Sequence, residues 1–324
     1  MRALTHDHYG GTEQLRVVDR PAPTAGEGEL LVRVHAAAVD RGTWHVMTGT
    51  PLLARPGFGL RAPRPRWRTP GRDLAGVVEA VGPGVTGWSV GDPVHGTADG
   101  SLAELVVTSA DRVARPPAAL STDEAAALPV SGLTAFQALR PLEVGDGTRV
   151  LVVGSSGGVG HLAVQLAAAA GAEVTAVCGP GAEDFARSNG ARHVLVRGRD
   201  RLEQAGVRHD VVLDVASNRP RRELRRVLTE RGTLVCIGTE TGGSLTAGFH
   251  RSALSAALDP FVRQHLVMHV SRERGDDLAA LDEVVAGSAV RPRIDRVVPL
   301  AEAAAAIDHV GSGRARGKVV VAIA

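Results

Sequence analysis

Aromatic residues are scarce: three tryptophans, one tyrosine and five phenylalanines make up 3% of the 324 residues. No basic stripe with interleaved aromatics occurs, so the chain lacks the stacking platforms and charge track of a nucleic-acid binder. A net charge of +2 gives no reason to expect one either. Cysteine is nearly absent, and Cys178 and Cys236 can build neither a disulfide framework nor a four-thiolate zinc site. Each ends an apolar run and reads as a buried thiol. Lysine is rarer still, Lys318 being the only one among 37 basic residues. With so much alanine and glycine, that bias reads as compositional. No apolar run reaches bilayer-spanning length, so no membrane role is expected. The start, Met1-Arg-Ala-Leu-Thr-His-Asp, turns polar at once and does not resemble a secretory signal; a cytoplasmic protein is expected.

What the chain does have is a distinctive stretch from Thr148 to Gly160. A β-branched apolar run, Arg149-Val-Leu-Val-Val, meets the turn Gly154-Ser-Ser-Gly157-Gly158-Val-Gly160 and opens into the alanine-rich run from His161 to Ala170. This is the order strand, phosphate-binding loop, helix. Gly154 permits the tight turn, Gly157 lets the backbone approach a pyrophosphate, and Gly160 lets helix and strand pack closely. The helix N-terminus adds unpaired N–H groups and partial positive charge.

The first third carries short strand signals punctuated by Gly, Pro and Asp: 28–36, 75–84, 90–96 and 103–107. They suggest a barrel-like β domain, interrupted by a Pro- and Arg-dense stretch, Arg55–Pro70, that reads as a long loop. From Ser121 the pattern changes. Ser121-Thr-Asp-Glu caps a helix, another helix covers Ser131–Leu139, and strands then alternate with helices. Strands are expected at 149–153, 173–178, 193–196, 210–215, 232–238 and 266–270, with helices near 183–189, 221–228 and 276–286. Such alternation predicts a doubly wound parallel sheet. After Gly287 the chain turns β-like again and is expected to rejoin the first domain.

These segments, in this order, resemble the medium-chain dehydrogenase/reductase superfamily, specifically its zinc-independent quinone-oxidoreductase branch. The resemblance runs through Leu31-Val-Arg-Val-His-Ala-Ala-Ala-Val-Asp40, Gly71-Arg-Asp-Leu-Ala-Gly-Val-Val-Glu-Ala-Val-Gly-Pro-Gly84, Leu133-Thr-Ala135, the glycine loop and Ala315-Arg-Gly-Lys-Val-Val-Val. It implies an α/β fold in which a GroES-like β-barrel catalytic domain (1–120 and 290–324) accompanies a Rossmann domain (121–289). It also implies a cleft between them, hydride transfer from a nicotinamide cofactor, and a homodimer. Zinc-dependent relatives carry a cysteine where Asp40-Arg-Gly-Thr43 stands, a Gly-His-Glu triplet where Gly71-Arg72-Asp73 stands, and a four-cysteine lobe. None of these is present, so no metal is expected.

Cofactor contacts are implied at Thr134, Ser155, Gly157, Gly158, Val159, Gly160, Cys178, Arg197, Asn218, Gly238 and Lys318. The strand Glu173–Cys178 ends without the acid that would hold an NAD ribose. That leaves room for a 2′-phosphate, and Arg197 could hold one by charge-assisted hydrogen bonds. NADPH is therefore preferred, with NADH possible. Without a Lewis acid, conjugated carbonyls such as quinones and enones are easier substrates than alcohols. Asp40, Thr43 and His45 are the candidate catalytic groups, Thr43 as donor to the carbonyl oxygen and His45 as acid. Because Asp40 and Thr43 depart from the family's usual Asn and Asp, two alternatives stand: a tailoring reductase or dehydrogenase with one dedicated substrate, and a cofactor-binding protein with little catalysis.

Overall fold

The computed structural model describes residues 1–216, 219–238 and 243–323. They divide into two compact units, Met1–Leu133 with Glu273–Ala324, and Thr134–Arg272. Among the described residues no helix is long and apolar enough to cross a membrane.

The first unit is organised by the eleven-residue strand Glu29–Val39. One edge pairs antiparallel with Asp73–Val81 along nearly its whole length. The other edge is shared: Leu105–Ser109 pairs with Glu29–Arg33, and the C-terminal strand Lys318–Ala322 pairs with Ala36–Val39. Ile294–Pro299, Pro93–Thr97 and Val113–Ala114 extend the sheet outward. Ala36, Ala38 and Ala75 form a small-residue face on which Ala125–Ala127 of the helix Thr122–Ala127 packs. Leu30, Val32, Val34, Leu74, Val78 and Ile307 belong to a separate, larger core. The helix is capped as its sequence predicts: Ser121 Oγ accepts from Glu124 N at 3.2 Å, and a Glu124 carboxylate oxygen accepts from Ser121 N at 2.9 Å.

In the second unit six strands lie parallel in the order His193–Val196, Glu173–Cys178, Arg149–Val153, His209–Asp214, Leu228–Cys236, His265–Met268. The chain builds outward from Arg149–Val153 to one edge, then returns to build the other side. Strand order therefore reverses between Arg149–Val153 and His209–Asp214, the switch point beside which doubly wound sheets bind ligands. Leu151, Val153, Val177, Val212 and Leu234 are buried, as expected of strands covered on both faces.

Two expectations change. The stretch Arg55–Pro70 is not a bare loop; it contains the helical turns Arg55–Phe58 and Pro65–Trp67, each with proline in its first two positions. The helix Gly275–Ala286 continues the alternating pattern in sequence yet packs with the first unit. A Cβ on Gly275 would lie 2.6 Å from Val113 O, and one on Gly132 would lie 2.7 Å from a Leu281 methyl. His95 Nε2 lies 2.9 Å from an Asp282 carboxylate oxygen. The units accordingly divide after Leu133 and Arg272, not at 121 and 289.

Candidate active site

The glycine loop crowns the strand Arg149–Val153. Gly154 has φ +85°, a conformation that L side chains rarely adopt, and both Gly154 N and Ser155 N donate to Val177 O, at 3.0 and 3.1 Å. Gly160 must be glycine for packing, since a Cβ there would lie 2.0 Å from Gly154 O. Gly157 is different. Its backbone is extended (φ −81°, ψ 179°), and an added Cβ would meet only Gly154 O at an ordinary 3.7 Å. Nothing in the fold requires glycine at this position. Gly157 is the N-cap of the helix Gly158–Ala169 and makes no side-chain cap, so the N–H groups of Gly158, Val159 and Gly160 head the helix ahead of the first helical hydrogen bond, His161 N to Gly157 O. Ser155 adds a buried hydroxyl with no hydrogen-bond partner among the described residues. A wide turn, bare donors and an unfilled glycine fit a dinucleotide pyrophosphate.

The neighbouring strand ends at buried Cys178 and Gly179. Arg197 follows the next strand out, and its N–H donates to Cys178 O at 2.8 Å. One guanidinium nitrogen of this exposed side chain lies 3.7 Å from where a Gly179 Cβ would stand. The structure thus brings Arg197 to the strand end that lacks an acid. Thr134 is buried in the helix Pro129–Leu139 and donates from Oγ1 to Ser271 Oγ at 3.1 Å. Gly238 just follows Leu228–Cys236, and a Cβ there would sit 2.5 Å from Val215 O, so close packing alone accounts for this glycine. Asn218 lies outside the described residues.

In the first unit Asp40 is the N-cap of the helix Arg41–Thr48: Oδ1 accepts from Thr43 N at 2.7 Å, with Thr43 Oγ1 at 3.4 Å. Asp40 Oδ2 is buried without a hydrogen-bond partner among the described residues. His45 Nδ1 faces Thr50 O at 2.8 Å. A carbonyl can only accept, so the neutral ring carries its proton on Nδ1. Burial, helped by the Arg41 charge, lowers the His45 pKa below its ordinary value. The shift favours the neutral ring, whereas the role expected of His45 was that of an acid.

Lys318 is 1% exposed. Its Nζ donates to Asp73 Oδ2 at 2.7 Å and to Ser131 Oγ at 3.2 Å, while Asp73 Oδ1 accepts from Val130 N at 2.6 Å. Burial raises the Asp73 carboxyl to about 6 in spite of that ammonium, and the Asp40 charge pushes the same way. Lys318, expected at the cofactor, is held inside the first unit. Sequence reasoning did not single out Arg72 as a functional group. Its guanidinium bonds a Glu273 carboxylate oxygen at 2.5 Å, which Arg112 also engages, and lies 5.4 Å from the centre of the Trp67 ring. The signal available was a charged pair, Arg72-Asp73, opening an otherwise apolar strand. Among the described residues no group of three or more His, Cys, Asp and Glu side chains is gathered to hold a metal ion.

A doubly wound sheet bearing this loop, in one chain with a mixed-sheet unit centred on buried polar pairs, is the build of a medium-chain dehydrogenase/reductase. Residues 26–118 match the alcohol dehydrogenase GroES-like domain family, and residues 189–321 match the zinc-binding dehydrogenase family. The chain is 32% identical to the chloroplast envelope quinone oxidoreductase homolog of Arabidopsis thaliana, over 99% of this chain and 98% of that protein. Its structure is similar to the quinone oxidoreductase from Coxiella burnetii (TM-score 0.84, 26% identity, 100% of this chain and 99% of that one). It is also similar to a mycobacterial protein solved in complex with NADPH (TM-score 0.83, 26% identity, 100% of both chains). The chain belongs to the medium-chain dehydrogenase/reductase superfamily, in its quinone-oxidoreductase-like branch, with a GroES-like and a Rossmann-like domain. It is an oxidoreductase of that type.

Proposed function

We propose that this oxidoreductase is an NADPH-preferring, zinc-independent reductase of quinones or α,β-unsaturated carbonyls. The observation that carries the reading is Gly157, a glycine the fold does not need, at the mouth of a loop whose donors point to an anion. Arg197 beside Gly179 supports a 2′-phosphate, because a guanidinium meets phosphate by charge-assisted bonds. A bound reduced nicotinamide supplies a hydride to an electron-poor carbon.

The side chains at the positions of the family's zinc ligands do not fit zinc. Asp40 spends Oδ1 on its helix cap, Arg72 is a cation, and Asp73 is occupied by Lys318 and Val130 N. The positive charge available to a developing enolate is therefore the protein's own, which favours conjugated carbonyls over alcohols. An exposed Val267 on the edge strand His265–Met268 further supports a homodimer formed by a second copy at that edge, which sedimentation at micromolar concentration tests.

Gly157→Asp tests the cofactor assignment. The new Cβ fits, so folding is unchanged, while a carboxylate arrives where the pyrophosphate lies. At about 4 Å and an effective dielectric of ~20 the repulsion is about 4 kcal/mol, a loss of at least ~100-fold in affinity. Unchanged binding of NADPH and NADH would overturn the assignment.

A further inference from the structure

Buried polar atoms with no hydrogen-bond partner among the described residues occur at several places in the first unit, Arg68 Nε and Asp282 Oδ1 included. Asp40 Oδ2, Trp67 Nε1, Arg72 Nε and Ser101 Oγ are all buried, and none has a hydrogen-bond partner among the described residues. They gather around Arg72. Its guanidinium lies 5.4 Å from the Trp67 ring centre, and Ser101 Oγ sits 2.6 Å from where a Cβ on the adjoining Gly71 would stand. The Asp40 carboxylate is near enough for its charge to act on the guanidinium. Each such atom left dry costs about 1–3 kcal/mol, more when charged, so a cluster of four marks a place for a polar ligand. Asp40 is itself only 8% exposed, and among the described residues its second oxygen has no hydrogen-bond partner.

The atoms differ in kind. Arg72 Nε and Trp67 Nε1 can only donate and so suit a carbonyl oxygen; Asp40 Oδ2 can only accept and so suits a hydroxyl. A simple quinone or enone presents acceptors alone. It would satisfy the two donors and leave the carboxylate facing lone pairs. We propose that this cluster is a specificity site, and that the substrate is a conjugated carbonyl compound bearing a hydroxyl next to its carbonyl, with the carbonyl on Arg72 and Trp67 and the hydroxyl on Asp40. The proposal rests on the reductase reading above. It concerns binding alone: Asp40 accepts a hydrogen bond and no proton is transferred. Arg72 is fit for the task because Glu273 anchors the far end of its guanidinium and leaves Nε over.

The test uses the full-length protein with NADPH and two substrates: unsubstituted para-naphthoquinone and the analogue with one hydroxyl peri to a carbonyl. Asp40→Asn retains an oxygen to cap Thr43 N and puts an amide donor in place of Oδ2, so the fold is kept while the acceptor is lost. Wild type should favour the hydroxylated compound by about tenfold or more in kcat/KM, and Asp40→Asn should bring that preference close to unity, chiefly through KM. Arg72→Lys, lacking Nε, should raise KM for both compounds. The same preference in wild type and Asp40→Asn would overturn the site while leaving the reductase reading intact. Turnover of neither compound would remove the reading on quinones; calorimetric titration then decides the site alone, with tighter binding of the hydroxylated compound by wild type than by Asp40→Asn supporting it and equal binding overturning it.

Discussion

Lys318 and Asp73 stand 245 residues apart in sequence and meet at 2.7 Å in the interior of the first unit, with side chains 1% and 0% exposed. The Asp73 carboxyl rises from 3.8 to about 6 despite the adjacent ammonium, because burial outweighs the attraction. A shift of that size corresponds to ~3 kcal/mol of penalty on the charged form. The pair is thus a poor net stabiliser, yet its halves depend on each other. Lys318→Met should cost about 3–5 kcal/mol by leaving a fully buried carboxylate without its cation, and Asp73→Asn a similar amount by stranding the ammonium. In the double variant neither charge remains, and the side-chain carbonyl introduced by Asp73→Asn can still accept from Val130 N. Its cost should be ~1–3 kcal/mol, that of an incompletely paired amide. The cycle therefore carries a coupling of at least about 3 kcal/mol.

Urea unfolding followed by tryptophan fluorescence reads this unit selectively, since all three tryptophans, Trp44, Trp67 and Trp88, lie within it. If the single costs add up in the double variant to within about 0.5 kcal/mol, the residues are not acting as a buried pair and the argument fails. The same variants separate structure from cofactor binding: Lys318→Met should lower stability and leave NADPH affinity as it was. A loss of affinity at unchanged stability would return Lys318 to the cofactor.

The other predictions concern the phosphate and the buried histidines. Arg197→Gln should weaken NADPH binding by about 10- to 150-fold, the worth of one charged hydrogen bond, and leave NADH binding unaltered; an equal effect on both nucleotides would remove Arg197 from the 2′-phosphate. Burial lowers the pKa of His6, His45, His209 and His269 from 6.5. As pH falls the unfolded chain protonates first, so the stability these groups contribute is present above about 6.5 and lost as pH drops through their folded values, by up to ~1.4 kcal/mol per pH unit for each. Asp73 opposes the trend, since its raised folded pKa favours the folded state on acidification through about 6. Asp282, also raised by burial, acts with Asp73; four histidines outweigh the two carboxyls, and urea stability should fall between about pH 7 and 5. His6→Gln should flatten that fall, and an unchanged slope would show that His6 does not titrate as described.

The glycine loop was legible in the sequence because its requirements are local. Gly154 needs its positive φ and Gly160 its close approach to Gly154 O, and both constraints act within seven residues. What the sequence could not separate was a glycine required by the fold from one that is not; only the space around Gly157 distinguishes them. Strands buried on both faces were legible for the same local reason. The polar centre of the first unit was not. Asp40 followed three residues later by Thr43 reads equally as a helix cap and as a catalytic pair, and in the structure it is the cap, with one oxygen left over. The partners that give Arg72, Asp73 and His95 their meaning, Glu273, Lys318 and Asp282, all come from the far end of the chain. Periodicity shows that 275–286 is a helix; which unit it joins is decided by an ion pair and two glycine contacts that carry no periodic signal. Spacing along the chain therefore reveals the glycine loop, whereas the polar centre of the first unit is written in long-range pairings. The four atoms around Arg72 that have no hydrogen-bond partner among the described residues are informative for that reason: Glu273 and Lys318 are already committed to Arg72 and Asp73, so what remains over is available to a ligand.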